Sequence, residues 1–142
     1  MKNDGFTLFE IIAVLSLMGI VLAICVPKIN TDFGYMDKMA EELLADVRFI
    51  QMEAMKNPAN IYQLTVNPSK RKYYLRKDIE VVKTVILKER YSIDYTGKGS
   101  LYFTNEGTAI HAGTFTILDG KTKKSKRVTV VPTTGRTVIV EE

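Results

Sequence analysis

Gly5-Phe6-Thr7-Leu8-Phe9-Glu10 opens an apolar run, Ile11-Ile12-Ala13-Val14-Leu15-Ser16-Leu17-Met18-Gly19-Ile20-Val21-Leu22-Ala23-Ile24-Cys25-Val26, which stops at Pro27. Between Phe6 and Val26 there are 21 residues, and Glu10 is the one charge among them. At 1.5 Å per residue such a helix measures about 31 Å, one hydrocarbon thickness. A charged side chain at mid-membrane depth costs roughly 2.5–3.5 kcal/mol on insertion scales. Nearer the interface a lone carboxylate still needs a reason to be there. The preceding Met1-Lys2-Asn3-Asp4-Gly5 holds one positive and one negative side chain. An ordinary secretory signal has a basic head and a small-residue cleavage site after its apolar stretch, a different order of features.

A short polar leader ending in Gly, then Phe-Thr-Leu-x-Glu at the head of an apolar helix, resembles the type III signal of type IV pilins and type II secretion pseudopilins. The resemblance implies that a prepilin peptidase cuts between Gly5 and Phe6 and that Phe6 becomes the methylated N-terminus. It also implies that Glu10 pairs with the N-terminal amine of a neighbouring subunit during assembly. Asp4 departs from the more basic leaders common in that family. Two other readings of the segment remain open. One is a plain transmembrane anchor with Glu10 incidental near the cytoplasmic interface. The other is a lipoprotein signal, because Leu22-Ala23-Ile24-Cys25 looks like a lipobox, although Ile24 is large where that signal takes a small residue. A lone Cys25 in an apolar helix otherwise reads as a small hydrophobe.

With 142 residues the chain has room for one anchor and one modest domain. A single cysteine excludes an internal disulfide and a thiolate metal cluster, so the domain relies on packing. Twenty basic against sixteen acidic side chains give +4, too small by itself to mark a nucleic-acid binder.

Pro27 removes a helical hydrogen bond and predicts a kink. Beyond Asn30-Thr31-Asp32-Phe33-Gly34 the helical period resumes. Met36, Met39, Ala40, Leu43, Leu44, Val47, Ile50 and Ala54 recur at three- and four-residue steps, with Glu41, Glu42, Asp46, Arg48 and Lys56 mostly on other faces. The methionines read as core filler. Asn57-Pro58 ends the helix. From Ile61 the period becomes two. Strands are predicted over 61–66, 72–76, 81–87, 91–95, 100–103, 113–118, 127–131 and 136–140, with turns at Asn67-Pro68-Ser69-Lys70, Asp119-Gly120 and Thr133-Thr134-Gly135.

The fold class is therefore α+β, a long N-terminal helix packed on an antiparallel sheet, as the pilin resemblance also implies. The expected organisation is a leader over 1–5, a transmembrane or filament-core helix over 6–29 and a soluble domain over 30–142. Phe103-Thr104-Asn105-Glu106-Gly107, then Gly113-Thr114-Phe115-Thr116-Ile117, then Val128-Thr129-Val130 and Thr134-Gly135-Arg136 resemble the H-type minor pseudopilins and the minor pilins of DNA uptake. Gly107, Gly113 and Gly135 also fit a simpler reading as turn positions with positive φ.

No catalytic constellation emerges. His111 is the one histidine, and Ile110, Ala112 and Gly113 beside it offer no ligands. No Gly-rich loop leads into a helix with Lys-Ser/Thr, so no phosphate cradle and no cofactor is predicted. Lys121, Lys123, Lys124, Lys126 and Arg127 form a basic cluster between two strands, and Lys70-Arg71-Lys72 with Tyr73 and Tyr74 a second. Such loops either hold a nucleic-acid backbone or keep a sheet edge soluble. DNA-uptake members of the group carry G-R-x-R, whereas this chain reads Gly135-Arg136-Thr137-Val138 and lacks the second arginine.

The expectation is thus a non-enzymatic minor pilin or pseudopilin, anchored once in the cytoplasmic membrane with its globular domain outside the cytoplasm and later built into a filament. Its partners would be prepilin peptidase, other pilins and the membrane assembly platform. DNA capture in a competence system is the alternative.

Overall fold

The computed structural model describes residues 7–25 and 34–141, which fall into two compact units dividing between residues 33 and 34. The first holds one helix, α1 (Leu8–Cys25). Its start is set by Thr7, whose Oγ1 accepts the Glu10 N–H at 3.3 Å while its carbonyl accepts the Glu10 and Ile11 N–H groups at 3.0 and 3.2 Å. That is N-cap chemistry, satisfying donors the first turn would otherwise strand. Ser16 returns its hydroxyl to the Ile12 carbonyl at 2.8 Å, which hides the one other polar side chain of the run. Eighteen residues give about 27 Å of helix. Among the described residues no helix is long and apolar enough to cross a membrane. The longer run expected to do so includes Phe6 and Val26, which lie outside the described residues, as do Gly5 and the expected kink at Pro27.

The second unit begins with α2 (Tyr35–Lys56). Its three-to-four-residue spacing buries Met39, Ala40, Leu43, Val47, Ile50 and Ala54, so the expected stripe is the core face. Asn57 closes the helix by donating its N–H to the Glu53 carbonyl. The strands that follow are β1 (Tyr62–Asn67), β2 (Lys72–Lys77), β3 (Glu80–Ile86), β4 (Tyr91–Tyr95), β5 (Leu101–Phe103), β6 (Ala109–Ile110), β7 (Thr114–Asp119), β8 (Ser125–Val130) and β9 (Thr137–Glu141). A 3₁₀ turn, Pro68–Lys70, joins β1 to β2, held by the Asn67 side chain accepting the Lys70 N–H.

These strands make two antiparallel sheets where one was expected: sheet A in the order β3-β2-β1-β5-β6, and sheet B in the order β4-β7-β8-β9. The chain changes sheets at Lys88-Glu89-Arg90. There the Lys88 N–H donates to Tyr35 Oη at 3.0 Å, and Arg90 reaches across to Asp119. These ties draw β4 away from β3, and it pairs with β7 instead, Ile93 opposite Ile117. β6 is an additional two-residue strand opposite β5. Helix α2 packs on both sheets, and its stripe meets Leu64, Tyr73 and Leu101 from sheet A and Phe115, Ile117 and Val128 from sheet B in one core.

Asp46 lies on that buried stripe, 8% exposed, rather than on a solvated face. Tyr73 Oη donates to its Oδ2 at 2.8 Å, and Lys83 Nζ, from β3, donates to both carboxylate oxygens at 2.8 and 2.9 Å and pairs with Glu42 at 2.9 Å. The carboxylate is thus fully used, the condition under which a buried charge is tolerable. Burial, and then the charge of Asp46, push the Tyr73 phenol far above its ordinary value. For Lys83 burial alone would lower the ammonium, but its hydrogen bonds to Asp46 and Glu42 outweigh that and hold it above the usual lysine value.

Both groups are protonated in the fold and titrate higher there than in the unfolded chain. Their contribution is complete below about pH 10 and is lost as pH rises towards the folded values. Tyr73→Phe should cost about 2 kcal/mol at neutral pH, the worth of a hydrogen bond to a charged acceptor. It should also flatten the fall in stability above about pH 10. Urea midpoints across that pH range test both; an unchanged alkaline slope would remove Tyr73 from the network.

Candidate functional site

On α1 the apolar side chains point outward all round the helix. Leu8, Phe9, Ile11, Ile12, Val14, Leu15, Leu17, Met18, Ile20, Val21 and Leu22 are between 48 and 82% exposed. A helix apolar on every face is made to be buried in lipid or among other helices. Each such side chain gains about 1.5–3 kcal/mol when it leaves water. Glu10 stands in the first turn, where the positive end of the helix dipole favours a carboxylate by roughly 0.3–1 kcal/mol. Thr7-Leu-Phe-Glu10 has capping-box spacing, yet the Glu10 side chain makes no hydrogen bond or ion pair among the described residues. The helix end is therefore satisfied by Thr7, and the Glu10 carboxylate is left available to an outside cation. The two residues expected to be processed, Gly5 and Phe6, lie outside the described residues.

The expected nucleic-acid residues are distributed by the fold over sheet B. Lys121, Lys123 and Lys124 stand exposed together in the β7–β8 turn. Asp119 builds that turn: its carboxylate, 3% exposed, takes the Arg90 guanidinium in a two-point pair, Nε to Oδ1 at 2.7 Å. It also accepts the Lys121 N–H at 2.8 Å and the Thr122 hydroxyl at 2.7 Å. Lys126 turns inward and pairs with Asp37 of α2. Arg127 faces outward on β8, opposite Thr116 and Val140. Arg136 leads into β9 at the far end of the sheet, because β9 runs from Thr137 opposite Val130 to Glu141 opposite Lys126. The turn lysines and Arg136 are thus not brought together.

Of the second basic group, Tyr73 is buried with its hydroxyl on Asp46, while Tyr74 faces outward between Lys72, 4.9 Å from its ring centre, and Arg76, 5.6 Å away. His111 sits exposed in a turn with φ 57°, its ring edge-on to Tyr102. Among the described residues no group of three His, Cys, Asp or Glu is placed to hold a metal ion.

Two of the glycines singled out in the C-terminal half, Gly107 and Gly135, meet in space. Gly135 (φ 61°) lies against the Gly107 carbonyl and the ring of Phe103, so a side chain there has no room. Gln51 of α2 donates to that same Gly107 carbonyl at 3.0 Å, which joins helix, sheet A and the head of β9 at one point. Gly113, expected to need positive φ, does not have it; its backbone instead lies so close to Gly97 that a Cβ would collide with the Gly97 nitrogen. Sequence reasoning gives Asp119 only as a turn residue and Arg48 only as a residue of the polar helix face. It misses the buried carboxylate of the first and the cleft that the second shares with Arg136. Neither role has a sequence signal, since what matters in each is a distant partner.

The family description "Prokaryotic N-terminal methylation motif" matches residues 1–26. No curated protein sequence matches the chain significantly. Among solved structures the fold is similar to the minor pseudopilin EpsH from the type 2 secretion system of Vibrio cholerae: TM-score 0.62, 16% identity, 75% of this chain and 96% of that one covered. It is also similar to the type IV minor pilin FimU of Pseudomonas aeruginosa: TM-score 0.60, 17% identity, 79% of this chain and 91% of that one. The chain thus joins an N-terminal methylation motif to a pilin-like α+β fold, in agreement with the resemblance seen in its sequence. Both neighbours are pilin-type subunits.

The Arg90 pair, followed by the Thr122 and backbone hydrogen bonds, holds the Asp119 carboxyl well below the usual carboxylate range despite its burial. The stability it lends is therefore present above about pH 4, the ordinary Asp value, and is lost only as pH falls towards its depressed one. Amide exchange at Lys121 and Thr122 should stay slow down to about pH 3. In Asp119→Ala it should be fast at every pH, with the α2 core still protected. Melting of the turn near about pH 4 in the unaltered protein would contradict this.

Proposed function

We propose that the chain is a minor pilin or pseudopilin, a structural subunit of a type IV pilus or a type II secretion pseudopilus. The observation that carries this is α1, apolar on every face and bearing in its first turn one carboxylate unpaired among the described residues. The methylation motif over residues 1–26 supports it. The precursor enters the cytoplasmic membrane through the segment 6–29, with the β domain outside the cytoplasm. Prepilin peptidase cuts between Gly5 and Phe6 and methylates Phe6. The freed amine then lies near Glu10 of a neighbouring subunit, and the two charges neutralise each other inside the helix bundle. Other pilins and the membrane assembly platform are the partners in that step.

The intact mass of protein recovered from host membranes tests the processing. Loss of Met1–Gly5 and gain of one methyl group, both dependent on the peptidase, is the expected result. Glu10→Val should leave membrane insertion unchanged and lower recovery in sheared filaments at least about tenfold, the effect of leaving one buried charge unpaired. Wild-type recovery of the variant would remove Glu10 from assembly, and an uncut chain would leave a simple anchor.

A second reading, capture of DNA by a competence minor pilin, draws on the exposed Lys121, Lys123 and Lys124 on their braced turn. Binding of duplex DNA should then weaken with salt. Replacing Lys123 and Lys124 by Gln should reduce the salt slope by about one for each phosphate no longer neutralised. No binding at low salt would end this reading.

A further inference from the structure

Each sheet has two edges, and three of these four are closed to pairing. At one end of sheet A, β3 carries a register shift opposite Leu75 and Arg76, and Lys83 points a charge inward; both devices block strand addition. At the other end β6 is two residues long. In sheet B, β4 packs against β1 and the 3₁₀ turn. The remaining edge, β9, packs one face against α2, which buries Thr137, but has no bulge and no inward charge in its described side chains.

The ladder shows which backbone groups that edge presents. Val130 donates its N–H to Gly113 in the direction of β7, and Val131 donates to the Arg136 carbonyl in the direction of β9. Antiparallel alternation then commits the backbone of Arg136, Val138 and Val140 to β8 and turns that of Thr137 and Ile139 to the open side. A cleft of about 500 Å³ runs along this side, between β9 and the flank of α2 formed by Leu44, Arg48 and Gln51. Leu44 and Ile139 supply apolar wall. Arg48 and Arg136 line the same cleft, both exposed, and neither guanidinium has a hydrogen bond or ion pair among the described residues. Further along, the groove meets Asp37, Glu41 and Lys126, where Asp37 is already paired with Lys126. The groove therefore has a basic end and an acidic end.

We propose that the α2–β9 groove receives an extended, carboxylate-bearing segment of another protein, which adds to sheet B as a fifth strand with its acidic end between Arg48 and Arg136. The alternating N–H and C=O groups of Thr137 and Ile139 match a polypeptide strand and not a phosphodiester, which offers no donors of that spacing. Two unpaired guanidiniums are forks suited to carboxylates, and Glu41 at the opposite end fixes the direction in which the segment lies. Nothing in the groove depends on α1, so it stands apart from the filament reading.

The test uses the full chain in detergent micelles. The probe is a capped octapeptide of alternating Thr and Val with two Glu at one end, and its companion carries Lys in place of the Glu. Binding of the Glu peptide should slow amide exchange at Thr137 and Ile139 about tenfold or more and leave Val138 unchanged. Arg48→Glu with Arg136→Glu should weaken it by at least about tenfold, without loss of the melting transition, since neither side chain holds the fold together. Equal binding of the Lys peptide, or binding without protection at Thr137 and Ile139, would overturn the proposal. So would protection that rises with protein concentration alone, because a second copy would then cover the edge. Displacement of the peptide by an oligothymidylate would overturn it too, by making the two arginines a phosphate site.

Discussion

Everything in the β domain depends on one face of α2 being buried against two sheets at once. Hydrophobic burial is proportional to area and has no direction. A stripe of Met, Ala, Leu, Val and Ile would by itself let the helix slide or rotate over the sheets. Asp46 removes that freedom. Its carboxylate must find the Tyr73 hydroxyl and the Lys83 ammonium together, which only one placement of α2 over β2 and β3 provides. On the other sheet the Asp37–Lys126 pair fixes the start of the helix, and at its other end Gln51 fixes it through the Gly107 carbonyl. The apolar stripe supplies the free energy, and three polar contacts choose the position.

That choice has consequences at the surface. Because α2 crosses to sheet B with Gln51 at the Gly135 corner, its flank comes to lie beside β9 and leaves a cleft instead of covering the edge. The same corner explains why Phe103, Gly107 and Gly135 read as a motif although they are far apart in the chain. They are one packed junction, in which a Cβ on Gly135 has nowhere to go. Asp119 does similar work at the opposite end, holding a turn of exposed lysines rigid through a buried carboxylate.

Much of this is legible in the sequence because it is local. The three-to-four-residue spacing from Met36 to Ala54 locates α2 and its buried face, and the period of two locates β4 at Tyr91–Tyr95 with the same bounds. The division into two sheets is not legible. It depends on β4 preferring β7 to β3, a choice made by Arg90 reaching Asp119, 29 residues away. Asp46 escapes for the same reason: an acidic residue among Glu41, Glu42 and Arg48 reads as solvated until a tyrosine and a lysine from two strands arrive at it. Gly113 illustrates a subtler limit. Its lack of a side chain is plain in the sequence, but the reason for it is contact with Gly97 and not a turn. At the N-terminus the position is reversed. Glu10 stands out from the sequence alone, since one carboxylate in the apolar run from Phe6 to Val26 is an anomaly that needs no distant partner to be seen.

The two units also illustrate how specificity is divided in a chain of this kind. A helix apolar on all sides gains from any apolar surroundings and gains equally in many registers, so it supplies affinity without alignment. Glu10 is the one charged side chain on α1, and in apolar surroundings a carboxylate is tolerable only where a cation meets it. In the β domain a strand edge offers the same division: its backbone groups recur in steps of two residues and do not by themselves distinguish one step from the next. Within the β domain the same division is visible directly: non-directional burial holds α2 to the sheets, and the Asp46 carboxylate, which cannot be left unpaired, sets its register.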